Sequence, residues 1–105
     1  MADTTVSAQG AVPTGSAATI FTASATGTGT ILGEIRFGNT NGSSVVVTVY
    51  RNGTSSGNAM PSFTIPANGM ASYDNVRWAL ATSETVAALA ASSGVNFFIS
   101  GDQLS

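Results

Sequence analysis

The chain has no cysteine, no histidine and, with its three basic residues all arginine, no lysine. Each absence closes a chemistry. Without cysteine there are no disulfides, no thiolate nucleophile and no thiolate metal site, and the redox compartment stays open. Without histidine the commonest general base and metal ligand is missing. Three arginines cannot build a patch that neutralises a phosphate backbone, so nucleic acid is not expected as a partner. Charge of either sign is scarce: 8% of residues are charged, against about 25% in an ordinary soluble domain. Long apolar runs are also missing. None approaches the ~20 residues of a membrane-spanning helix. The opening "MADTTVSAQG" carries an acid where a signal peptide carries bases, and no apolar core follows it. The expectation is a soluble protein made in the cytoplasm.

What is present is 43% apolar residues and a polar complement drawn from Ser, Thr, Asn and 12 glycines. The length of 105 residues fits one domain. Such a chain buries roughly 65% of its unfolded surface, enough for one modest core without metal or disulfide. A net charge of −2 gives little repulsion between copies. A surface of small polar groups loses little side-chain entropy when covered. The composition suits a subunit that packs against neighbours as a trimer or dimer; the alternative is a small, secreted or highly expressed domain.

Along the chain, apolar residues alternate at period two rather than at helical spacing. Residues 1–16 have no sustained period and read as an extended arm with a turn near Pro13. Residues 17–105 read as a single β-domain. A strand near 17–25 leads to a turn at Gly27–Gly29. In "TILGEIRFGN", Ile31, Gly33, Ile35 and Phe37 share one face, and Leu32, Glu34 and Arg36 the other. "SVVVTVYR" places Val45, Val47 and Val49 together. "SFTIPANGMASY" reads as a hairpin with its turn at Asn68–Gly69. Residues 84–92 carry a local preference for helix, since Ala and Leu dominate and Ser83 can cap. That run is barely two turns long and has no apolar stripe, and its surroundings are strands at ten-residue spacing. Strands are therefore expected at 76–80, 85–91 and 95–100, with the helix as the alternative. About eight short strands imply an all-β, antiparallel β-sandwich of jelly-roll or immunoglobulin-like type.

The carboxylates are Asp3, Glu34, Asp74, Glu84 and Asp102, with no two close in sequence. Hydrolytic carboxylate pairs need a substrate cleft that so small a domain hardly supplies. No phosphate-binding glycine motif is present. The expectation is no enzyme activity, no cofactor and no metal; were an oxygen-ligated ion present, Asp74 and Asp102 would be its first ligands. Glu34 and Arg36 stand at i and i+2 and point from one face, either as a solvated pair or as a contact to a neighbour. Trp78, with Leu80, is expected in the core and Arg77 faces outward; an exposed Trp78 would instead suit a carbohydrate-binding module, with Tyr50 or Tyr73 beside it. In the arm only Val6 and Val12 are sizeable apolar anchors. That arm is expected to order against another subunit, adding a strand to an exposed sheet edge. Candidate contact residues are thus Val6, Val12, Glu34, Arg36, Arg51 and Arg77.

Two phrases, "IPANG" at residues 65–69 and "VNFFISG" at residues 95–101, stand in a frame of "GEIRFGNTNGSSVVVTVYRNG" and "LATSETVAALAAS". Together they resemble a recurring β-sandwich module of tailed-bacteriophage virion proteins, over roughly residues 30–105. The chain departs from that pattern at residues 82–85, where "TSET" replaces a frequent glycine-aspartate turn. The resemblance implies a structural virion part. Its foremost reading is a capsid cement or decoration protein that bridges capsomers through the major capsid protein. The alternatives are a tail, neck or baseplate accessory protein and, from another class, a carbohydrate- or surface-binding module.

Overall fold

A computed structural model describes residues 4–60 and 62–104, with the side chains of residues 73–77 outside the description. The strands are β1 (Thr4–Ala11), β2 (Ala18–Thr22), β3 (Gly29–Asn39), β4 (Val45–Arg51), β5 (Phe63–Ile65), β6 (Met70–Leu80), β7 (Thr85–Ala90) and β8 (Val95–Leu104). One 3-10 turn, Ser56–Asn58, lies between β4 and β5. The strands form two four-stranded sheets, ordered β1-β8-β3-β6 and β2-β7-β4-β5. Every strand pair is antiparallel. β1 pairs with β8, β2 with β7, β3 with β6 and β4 with β5. That nesting is one long hairpin rolled over on itself, so between the two sandwich types the strand order selects the jelly roll.

The alternation that suggested strands also fills the core. Val45, Val47 and Val49 of β4 are buried, as are Ile65, Val95 and Ile99. The alanine-rich run is strand: in β7, Val86, Ala88 and Ala90 are buried between β2 and β4. Pairing on both sides overrides a weak local preference for helix.

In β3 the simple alternation does not hold. Leu32 is fully buried together with Ile35 and Phe37, and Ile31 is only half-buried. The register of β3 shifts between Leu32 and Glu34 against both β6 and β8. Against β8, Gly33 is the extra residue of a bulge, and one extra residue inverts the facing of everything before it; against β6, the single Gly33 stands opposite three residues, 75–77. Opposite the bulge, a Cβ on Gly101 would lie 2.3 Å from the Ile31 carbonyl oxygen, so only glycine lets β8 close against β3 there.

The expected arm is also placed differently. Residues 4–11 form β1, paired residue for residue with β8 of the same chain. Val12 is buried in that chain's own core, Val6 and Ala8 are half-buried, and Ala8 packs against the core. The inward side of β1 thus finds apolar cover in its own fold and needs no partner for it. The accessible surface of 5383 Å² matches the ~5,400 Å² of a folded monomer of this mass, so one copy closes on itself.

Candidate contact surfaces

Most of the described charged side chains act within the chain. The Arg36 guanidinium donates to Glu34 at 2.7 Å, on the outer face of the first sheet. The parity of i and i+2 placed them together, and at this exposure the pair contributes under ~1 kcal/mol. Arg51, at the end of β4, donates to the Ala79 carbonyl oxygen at 2.5 Å and so ties the second sheet to β6 of the first. Glu84 accepts from the Ala81 amide at 2.6 Å and closes the β6–β7 turn. The side chain of Arg77 lies outside the described residues.

Among the described residues no three acids stand close enough to hold a metal. In register Asp74 opposes Glu34 while Asp102 opposes Ile31, on opposite flanks of β3. Two strand spacings and three residues along put their backbones about 14 Å apart. Trp78 is half-buried against the core, so it does not offer an open stacking platform.

The end of the sandwich built from residues 12–17, 40–44, 66–69 and 91–94 contains no charged residue. Hydrogen bonds lace these loops together. The amide of Thr40 and its hydroxyl both donate to the Gly94 carbonyl, and the Asn41 side chain donates to Ser93 at 2.6 Å. Asn68 donates to the Asn41 carbonyl, and Ala90 to that of Pro13. At the centre is Asn39, 3% exposed. Its amide nitrogen reaches the carbonyls of Ser43, Ile65 and Pro66 at 2.9, 3.2 and 3.1 Å, and its oxygen accepts from the Asn41 amide at 2.9 Å. Sequence reasoning did not single out Asn39. The available signal was parity: it follows Ile35 and Phe37 at spacing two and so faces inward.

Beside this end the outer face of the second sheet holds a shallow groove of about 280 Å³, lined by Gly15, Val46, Thr48, Leu89, Ala90 and Ala91. Val46 is 44% exposed there. On the outer face of the first sheet Phe98 is also exposed, in register with Arg36 on one side and Gln9 on the other.

No protein-family model matches the chain, and no curated protein matches it. Among solved structures it is similar to a chain of the Bacillus endospore appendages, described as a novel family of disulfide-linked pili. The identity is 18% over 99% of this chain and 88% of the other, with a TM-score of 0.56. At that identity the likeness is one of fold. The covalent linkage named for those pili has no counterpart here, because this chain has no cysteine.

Proposed function

We propose that the chain is a non-enzymatic structural subunit that works by contact within a multi-copy particle, as a bacteriophage capsid cement or decoration protein. The observation that carries the proposal is the uncharged, hydrogen-bonded loop end with its adjoining apolar groove. Loops already held by Asn39 and Asn41 lose little freedom on docking, and small polar groups lose little solvation. No charge there has to be desolvated. The partner is the major capsid protein, in the virion. Repetition over a shell lets modest single-site affinities suffice. The phage assignment rests on the resemblance of residues 30–105 to virion modules, since fold alone does not carry function.

The test is the copy number of this chain in purified particles of the phage that encodes it. The proposal expects a fixed stoichiometry with the major capsid protein. A handful of copies per particle would move the chain to the tail, neck or baseplate, and absence from particles would overturn the virion reading.

A further inference from the structure

Four strands lie at sheet edges: β1, β6, β2 and β5. An exposed edge is a template for pairing, and folded proteins blunt it by shortness, bulges, proline or charge. Three of these edges are blunted. β5 is three residues long and lies between Pro61 and Pro66. β2 has five residues and a register break between Thr19 and Phe21. β6 contains Asp74 and Arg77, and its pairing jumps from Trp78 to Asp74 opposite the Gly33 bulge. β1 has none of these devices. It makes eight consecutive pairs with β8 without a shift, and it contains no proline and no charged residue.

The bond from the Val12 amide to the Val95 carbonyl, 2.8 Å, sets the phase of the ladder. Antiparallel pairs alternate, so the even residues of β1 bond to β8. The main-chain groups of Thr5, Ser7, Gln9 and Ala11 then point to the other side, where no described strand pairs with them. Their side chains are exposed.

We propose that the free edge of β1 is an interface for a second copy of this chain, through that copy's own β1. The occupant follows from the same comparison: among the described strands of another copy, the only edge without a guard is β1 itself. A two-fold axis at Ala8 sets Ser7 against Gln9 of the second copy and Thr5 against its Ala11. Four such pairs carry about eight main-chain hydrogen bonds, and no like charges meet along the seam. The product is one continuous eight-stranded sheet. Because the paired strands run oppositely, the two uncharged loop ends point in opposite directions. The 46 Å long dimension of each copy exceeds the ~37 Å of an eleven-residue strand and so runs along the strands. Such a dimer reaches two separate neighbours, the geometry of a bridge, although the edge pairing itself does not depend on the virion reading. Eight residues give a seam of about 27 Å. It buries on the order of several hundred Å² per copy, at or below the ~800 Å² per partner of a standard interface. The dimer is therefore weak in dilute solution and fills with concentration.

The test combines sedimentation equilibrium over a wide concentration range with hydrogen exchange of the Ser7 and Gln9 amides. The wild-type chain should dimerise with rising concentration, and both amides should gain at least tenfold protection as it does. Ser7→Pro removes an outward amide and leaves the bonds to β8, so it should stay monomeric with an unchanged melting temperature. Ser7→Lys places a charge on the seam and should weaken the dimer at least tenfold, which keeps the test open if the proline variant folds poorly. A chain that stays monomeric at millimolar concentration overturns the proposal. A dimer that ignores Ser7→Lys, or that forms without protecting Ser7 and Gln9, overturns it equally.

Discussion

At the end formed by residues 40–44, 66–69 and 91–94, side-chain amides hold the loops to one another, and Asn39 alone makes four bonds to main-chain groups. At the opposite end, formed by residues 23–28, 52–60 and 81–84, the anchors are Arg51, Glu84 and the Asn58 side chain, and the turns pass through left-handed conformations at Gly27, Asn52 and Ser83. The buried hydroxyl of Thr30 beside those turns has no partner among the described atoms. One end is satisfied and uncharged. The other carries the charged anchors and an orphaned polar atom, and left-handed residues occur at both ends. On the proposed function, the contrast separates surface shaped for contact from surface that only closes the fold. It also implies that the second end has stability still to gain.

The largest expected effect breaks the first end. Asn39→Ala takes the partner from the buried Ile65 carbonyl, from the part-buried carbonyls of Ser43 and Pro66 and from the Asn41 amide, so the domain should lose about 3 kcal/mol. That corresponds to a melting temperature lower by about 12 °C, read by calorimetry. A loss under about 1 kcal/mol would mean the loops hold without the hub. Next comes Gly27→Ala. Gly27 sits at φ 80°, and its Cβ would lie 2.2 Å from the Leu104 carbonyl oxygen. Denaturant titration should show a loss of about 2 kcal/mol, through strain and displacement of the chain end.

The next two changes should raise stability, which sharpens the contrast. Thr30→Val keeps the shape and removes the orphaned hydroxyl. It should gain about 1 kcal/mol, and a loss would show that the hydroxyl is satisfied in solution. Ser83 adopts φ 66° in a turn closed by the bond from the Glu84 amide to the Ala81 carbonyl. Ser83→Gly should gain about 0.5 kcal/mol by removing the Cβ penalty, set against the added freedom of the unfolded chain.

The fold was legible where residue size and parity agree. Val45, Val47 and Val49 announce β4, and the strand context outweighed the alanines of β7. Two features escaped for physical reasons. Glycine in a strand reads equally as a small residue or as a bulge, so Gly33 gave no sign that it would turn Leu32 inward. In β1 the inward positions are Val6, Ala8 and Gly10, too small for their alternation with Ser7 and Gln9 to register. A Cβ on Gly10 would meet the Phe97 ring at 3.4 Å, an ordinary packing contact that spans most of the chain. The candidate contact surfaces were legible in part. Parity gave the Glu34–Arg36 pair, whereas the bond from Arg51 to Ala79 joins two sheets and leaves no local trace. The uncharged end shows only after folding brings together four loops that are distant in sequence.

The most direct measurement of the central claim is co-sedimentation of the purified chain with capsids lacking it, comparing wild type with the double variant Ser44→Glu, Ser92→Glu. Both serines are exposed on the uncharged end. The account predicts that binding falls at least tenfold, about 1.4 kcal/mol, while the melting temperature stays within about 2 °C, the scale of a sub-kcal/mol surface change. Undiminished binding by the double variant would contradict it.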